Sequence, residues 1–361
     1  MIAFASAAPS MFATHGPAGD PVAALGITLT TVGAVVTGVV TLLLLWAMFH
    51  PRHGQSGDVQ RGNAPGAIRW IVIGGILVPS LILVASFAYS MGVQARVAAP
   101  PTAPAVTVEV LGHRWWWEIR YRGSPPSEGF TTANELHVPV GRPVRIRLAS
   151  ADVIHSFWVP QLAGKTDVVP GQNNEMWLQA DRPGTYLGKC AEYCGLEHAQ
   201  MYFSVVAETP ERYAAWVANQ QRPAVSDQLT SVPTGYVRPT PPGTDPSVPA
   251  PLPAATLRDV ALQDPAAVRM QVARGQQVFL ARQCAACHAV RGTNALGRVG
   301  PDLTHLASRR TIAAGVLPNT RGNLGGWVSN AQAIKPGNLM PTIPLSGPDL
   351  QALLAYLETL R

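Results

Sequence analysis

Cys190-Ala191-Glu192-Tyr193-Cys194-Gly195-Leu196-Glu197-His198-Ala199-Gln200-Met201 places two thiols, an imidazole and a thioether within one short stretch. All are soft or borderline donors, which suit copper better than calcium or magnesium. Two thiolates four positions apart can bridge a pair of metal ions, while the imidazole and the thioether further along the loop cap the outside of the pair. One terminal ligand is then missing. His155 is the candidate, in Asp152-Val153-Ile154-His155-Ser156-Phe157-Trp158-Val159-Pro160, a strand-like run that ends at a proline. The alternative that the spacing allows is a C-x3-C disulfide, favoured by an oxidising compartment, with His198 and Met201 as bystanders.

C-x-E-x-C-G-x-x-H-x-x-M preceded by V-I-H-S-F-W-V-P resembles the binuclear copper centre, CuA, of cytochrome c oxidase subunit II. The resemblance implies bridging thiolates from Cys190 and Cys194, terminal nitrogens from His155 and His198, sulfur from Met201 and the backbone carbonyl of Glu192. It also implies that the Glu192 side chain reaches a magnesium ion at the boundary with subunit I. The architecture such ligands require is an all-β, cupredoxin-like domain.

Around this loop the chain divides. Hydrophobic residues make up 47% of the 361 positions and charged residues 13%, a membrane-leaning balance for a protein of this size. Residues 1 to 20 carry no Lys or Arg and read as a short exported tail or the remnant of a leader. Pro21 to Phe49 and Trp70 to Ala95 are free of charge, and each is long enough for a span, which needs ~20 apolar residues. Residues 21–99 are therefore expected to form a transmembrane helix hairpin. The loop between the spans carries Arg52, Arg61 and Arg69 against Asp58, so the positive-inside rule sets it in the cytoplasm. Both termini then lie on the periplasmic side of a bacterial inner membrane. The family often has a glutamate early in the second span, at the mouth of a proton path. Here no acidic residue lies between Asp58 and Glu109.

Residues 100–221 are expected to form the copper domain. A stiff Pro100–Pro104 connector leads into strand patterns, with Val106, Val108 and Val110 alternating on one run and Val144, Ile146 and Leu148 on another. Turn signals at Gly141-Arg142-Pro143, Pro170-Gly171 and Arg182-Pro183-Gly184 suggest a Greek-key sandwich or barrel. Trp115-Trp116-Trp117 is the densest aromatic run, and its members cannot all point inward from a strand, where successive side chains alternate. The resemblance makes Trp115 the residue through which electrons reach the copper pair, with Trp117 the rival.

Residues 222–256 carry nine prolines and too few apolar groups for a core, so they read as an extended linker. Residues 257–361 read as a compact helical domain. Cys284-Ala285-Ala286-Cys287-His288 is the C-x-x-C-H signature of covalent c-type haem. Asp264-Pro265 opens a helix with Val268, Val272, Gly275 and Phe279 at helical spacing, and a closing helix carries Leu350, Leu353, Leu354, Leu357 and Leu360. With Met340-Pro341 downstream, the region resembles a class I cytochrome c, with Cys284 and Cys287 attached to haem and His288 and Met340 as axial ligands. That pair raises the reduction potential. Met270 and His305 are the rival ligands. His15, His50, His53, His113 and His137 have no partners at ligand spacing and read as ordinary surface or strand histidines.

All four cysteines are thus committed to cofactors. Residues 257–361 hold eleven Lys or Arg against five Asp or Glu, while residues 93–220 hold eleven against twelve. A basic C-terminal part suits an acidic partner or simple solubility, and no basic run with interleaved aromatics points to nucleic acid. The whole chain resembles subunit II of a bacterial haem-copper oxidase with a fused cytochrome c. The implied partners are subunit I with haem a, haem a3 and CuB, subunit III, membrane lipid, and a periplasmic donor that is a cytochrome c or a quinol-cytochrome c reductase. Two other readings stay open: a CuA subunit of a nitric oxide or nitrous oxide reductase, and a membrane-anchored copper chaperone on a thioredoxin-like fold.

Overall fold

A computed structural model describes residues 10–50, 65–123, 125–224 and 265–361. Helices α1 (Asp20–Phe49) and α2 (Ile68–Val97) are each 30 residues long, about 45 Å at 1.5 Å per residue. Leu42, Leu43, Leu44, Trp46, Leu81, Val84 and Phe87 stand exposed on them. Helices that satisfy their backbone hydrogen bonds internally and present a mainly apolar surface are what a bilayer accepts. The uncharged runs from Pro21 and from Trp70 are therefore the spans, extended by a few residues at three of the four ends. Ile71–Leu77 is wound as a π-helix just ahead of Pro79, which has no N–H for the regular ladder. The cytoplasmic loop charges Arg52, Asp58 and Arg61 lie outside the described residues.

Among the described residues, ten strands form the β domain: β1 (Val106–His113), β2 (Trp116–Tyr121), β3 (Phe130–Ala133), β4 (Glu135–Pro139), β5 (Val144–Ser150), β6 (His155–Trp158), β7 (Thr166–Val168), β8 (Asn174–Leu178), β9 (Gly184–Cys190) and β10 (Tyr202–Glu208). They pair as two five-stranded sheets, β3-β2-β1-β5-β8 and β4-β10-β9-β6-β7. Pairs β1·β5 and β4·β10 are parallel and the others antiparallel, so both sheets are mixed. The alternation read from the sequence is the alternation of burial. Val144, Ile146 and Leu148 enter the core while Arg145 and Arg147 reach outward to Glu175. The tryptophan run splits in the same way: Trp117 is fully buried, edge-on to Phe157, Phe203 and His155, whereas Trp116 faces the other side and stacks on His113. This two-sheet β domain is cupredoxin-like and leaves no room for a thioredoxin-like chaperone.

The N-terminal segment is more than a tail where it is described. The His15 N–H donates to the Gln161 carbonyl at 2.7 Å, the His15 carbonyl accepts from the Asp181 N–H at 2.9 Å, and Ala18 is buried in the domain core. Residues 1–9 lie outside the described residues, as does most of the predicted linker. Short helix α3 (Pro210–Gln220), N-capped by the Thr209 hydroxyl, closes the β domain.

The C-terminal domain contains α4 (Pro265–Ala281), α5 (Cys284–Cys287), a small hairpin of β11 (Thr311–Ile312) and β12 (Leu317–Pro318), α6 (Arg321–Ser329), α7 (Ala331–Ile334) and α8 (Gly347–Leu357). Its core is the crossing of α4 and α8. Gly275 allows that crossing, because a Cβ there would lie 2.0 Å from the Ala352 carbonyl oxygen. Val272 and Phe279 on α4 bury against Leu353, Tyr356 and Leu357 on α8, and Leu360 caps the core just beyond the helix.

One histidine departs from the ordinary reading. His137 on β4 is largely buried between Glu208, 3.3 Å from its Nδ1, and Glu135, 3.9 Å from its Nε2, and its ring stacks on Trp216. Burial pulls its pKa down, but the two carboxylates outweigh burial and hold it above the usual imidazole value. The stabilisation this gives is complete below the unfolded-state value, near 6.5, and is lost as pH rises through the folded value. A His137→Gln protein is expected to lose ~2 kcal/mol of β-domain stability at pH 6, the scale of hydrogen bonds to charged groups, and less at pH 9. Denaturant unfolding of the detergent-solubilised chain at both pH values measures the difference.

Candidate metal centres

Strand β6 begins at His155 and strand β9 ends at Cys190, and the two strands are hydrogen-bonded neighbours. The loop from Cys190 to Met201 then folds back over their ends before β10. His155, Cys190 and Cys194 form one buried cluster of ligand atoms. The Cys190 and Cys194 sulfurs lie 3.8 Å apart as free thiols, so the disulfide alternative is not realised. Each sulfur has an imidazole of its own: His155 Nδ1 is 3.8 Å from Cys190, and His198 Nδ1 is 3.6 Å from Cys194. Met201 Sδ is 3.8 Å from Cys194, and the Glu192 carbonyl oxygen is 3.2 Å from Cys190. All six residues read from the sequence therefore converge. The arrangement is nearly two-fold, with two sulfurs at the centre and nitrogen, sulfur and carbonyl donors around them.

Asp152 was missed in the sequence, although it stands in the stretch quoted for His155. Its Oδ1 accepts from His155 Nε2 at 2.8 Å, which fixes the ring and leaves Nδ1 facing the thiols, the outer-shell arrangement of metal-bound histidines. The hydrogen bond shared with Cys194, helped by His155 against burial, holds the Cys190 thiol well below the usual cysteine range. A thiol so disposed gives up its proton readily to a metal. The Glu192 side chain is half-exposed on the rim and faces Lys165, 3.7 Å away.

The second site is an apolar cavity lined by Cys284, Cys287, His288, Trp327, Leu339 and Met340, so the predicted haem residues gather around one space. His288 Nδ1 donates to the Pro301 carbonyl at 2.7 Å, and Nε2 is left for a ligand. Burial pushes the His288 pKa below the usual value, so the ring stays neutral with its lone pair free. Gly300 makes room for it, since a Cβ there would come within 2.6 Å of the ring. Met340, which lines the same cavity, is held through its backbone, its N–H donating to Asn338 Oδ1 and its carbonyl accepting from Gln332 Nε2. The rivals are elsewhere: Met270 is exposed on α4, and His305 Nε2 is hydrogen-bonded to the Arg222 carbonyl. The attachment cysteines, a neutral imidazole and an apolar cradle fit a c-type haem.

Trp115 lies between the two sites. Its indole N–H donates to the Cys194 carbonyl at 3.0 Å, and the same residue lines the cavity that His288 and Met340 line. Trp117, by contrast, is sealed in the β core, and its Nε1 has no hydrogen-bond partner among the described residues.

Two family profiles match the two units separately. Residues 127–208 match the family profile of the cytochrome c oxidase subunit II periplasmic domain, and residues 272–361 match that of cytochrome c. The cytochrome c oxidase subunit 2 of Alkalihalophilus pseudofirmus is 34% identical over 336 residues, which cover 93% of this chain and 84% of that one. The chain belongs to the cytochrome c oxidase subunit 2 family. The subunit 2 of Bacillus sp. PS3 is 28% identical over 335 residues, 87% of this chain and 80% of its own. A crystal structure of the periplasmic domain of subunit II from Bradyrhizobium japonicum, 30% identical, covers 33% of this chain and 96% of its own with a TM-score of 0.31. As a subunit 2 protein the chain is part of an oxidoreductase of the haem-copper superfamily, a two-pass inner-membrane protein with a periplasmic β domain.

Proposed function

We propose that this subunit carries electrons from a periplasmic donor into a terminal oxidase, with a binuclear CuA centre on the copper loop and a covalent haem c in the C-terminal cavity. The observation that carries the reading is the pair of free thiols 3.8 Å apart, each with its own imidazole, one of them tied through its carbonyl to Trp115. When bound, the haem and the copper pair supply one-electron carriers in series, leading to haem a of subunit I, where oxygen is reduced and protons are translocated.

The chain's own residues do the rest. Cys190, Cys194, His155, His198, Met201 and the Glu192 carbonyl are the donors that would hold the copper pair. The rigid two-sheet scaffold holds them so that little has to move when charge arrives. Cys284 and Cys287 would hold the haem, and His288 and Met340 are the side chains that would hold its iron. Trp115 provides the contact between the sites. The Glu192 carboxylate, on the rim, is the donor this chain would offer a magnesium ion at the boundary with subunit I. Subunit III and a donor that is either a cytochrome c or a quinol-cytochrome c reductase complete the partners. Tethering the cytochrome domain makes its encounter with the copper domain intramolecular.

Paramagnetic resonance and optical spectra of the purified complex test this. Copper hyperfine structure from two equivalent nuclei supports the reading, and the pattern of a single copper nucleus overturns it. For the haem, a Met340→Ala protein is expected to lose the low-spin methionine-ligated spectrum and to titrate at a reduction potential lower by about 100 mV or more, since the His/Met pair is what raises it. Retention of the normal spectrum would assign the distal ligand elsewhere.

A further inference from the structure

The contact between the cytochrome and copper domains is built from specific polar groups. The backbone N–H groups of Arg310 and Thr311 both donate to the buried Glu135 carboxylate on β4, at 2.6 and 3.2 Å. The Tyr202 N–H donates to the Ala314 carbonyl at 3.1 Å, beside Gly315, where a Cβ would lie 2.8 Å from that of Tyr202. At the centre of the contact is Lys335. It follows α7 in the cytochrome domain, yet its ammonium donates to two carbonyls of the copper domain, Trp115 and Gln200, both at 2.9 Å. Only 2% of the residue is exposed. Gln200 lies between His198 and Met201 on the copper loop, and Trp115 is the wall shared with the haem cavity.

Burying an ammonium against carbonyls is poor value for stability alone. Glu197, buried and with one carboxylate oxygen unpartnered among the described residues, supplies an attracting charge nearby. What the arrangement does provide is register. Three donor hydrogens fanned from one nitrogen satisfy both carbonyls only when the domains meet in one pose.

We propose that Lys335 is a positioning residue that locks the cytochrome domain onto the copper loop, so that the domain works docked, with Trp115 as the common wall, rather than swinging on its linker. The electron-transfer part of this rests on the function proposed above; the docking itself does not.

The chain contains three lysines, Lys165, Lys189 and Lys335, so amine-reactive labelling of the intact wild-type complex followed by mass spectrometry reads the lock directly. Lys335 is expected to be labelled at least tenfold more slowly than half-exposed Lys165. Equal labelling overturns the proposal, whether or not the copper is binuclear. In Lys335→Met, haem-to-copper transfer measured by flash photolysis is expected to slow about tenfold or more, because misplacement of ~1 Å can cost on the order of 100-fold. The separate haem and copper spectra should stay unchanged, while the haem–copper distance measured by paramagnetic relaxation broadens. Lys335→Arg, which keeps donors for both carbonyls, should restore most of the rate. Wild-type transfer and an unbroadened distance in Lys335→Met would overturn the lock. Failure of the binuclear reading would instead appear in the wild-type copper spectrum.

Discussion

Replacing Cys194 by serine is expected to lower turnover of the intact oxidase on the order of 1000-fold and to replace the shared-electron copper signal by that of a single copper or none. Loss of an outer-shell partner alone costs ~10- to 100-fold in affinity or activity, and Cys194 holds a far more central place than that. Its sulfur lies within 3.8 Å of three other candidate donors: Cys190 Sγ, His198 Nδ1 and Met201 Sδ. A serine hydroxyl is a harder donor that does not suit copper as a thiolate does, and its shorter reach leaves His198 and Met201 without a metal to share. Cys284, Cys287, His288 and Met340 all belong to the other domain, so the haem spectrum should be unaffected. Metal analysis and paramagnetic resonance of the variant complex check the prediction. Two copper ions with an unchanged signal would remove Cys194 from the centre.

What could be read from the sequence here depended on how local the chemistry is. The ligands Cys190, Cys194, His198 and Met201 sit on one loop, so their spacing alone carries the pattern. His155 lies 35 residues before Cys190, and its pairing needed the neighbouring V-I-H-S-F-W-V-P segment as well as the loop. Asp152 was legible in principle, three residues before His155, but an acidic residue near a histidine points to a metal only once the ring orientation is known. The two halves of the His137 site show the same limit. Glu135 is two positions away on the same strand and so on the same face, whereas Glu208 comes from β10, 71 residues on.

The docking of the two domains lay beyond the reach of periodicity or motif. Lys335 and Trp115 are 220 residues apart, and the proline-rich stretch between their domains says only that a tether exists. A lysine in I-K-P-G reads as a solvated surface residue, and nothing local marks it as buried. The tryptophan run was informative in a different way. Alternation along a strand guaranteed only that Trp116 would face away from Trp117; Trp115 lies in the turn just before β2, and the choice between Trp115 and Trp117 turned on which ring faces the cytochrome domain. The described structure has Trp115 in that position and Trp117 among Phe157 and Phe203.

That choice makes the second large effect specific. A Trp115→Phe protein is expected to slow electron delivery to copper by about 10- to 100-fold, on the scale at which loss of a positioning contact acts, while the copper and haem spectra stay intact. Phenylalanine retains an aromatic ring in the pocket but removes the N–H that donates to the Cys194 carbonyl at 3.0 Å, the hydrogen bond that joins the cavity wall to the copper loop. Trp115 is not among the copper donors, and its backbone carbonyl, which accepts from Lys335, survives the substitution, so docking should persist. Single-turnover kinetics with a pre-reduced haem separates this step from donor binding. An unchanged rate with normal spectra would mean that charge crosses by another contact in the same interface. Substitution of Trp117 should do the reverse, disturbing the copper signal through its packing against His155, because it supports a ligand and does not face the haem cavity.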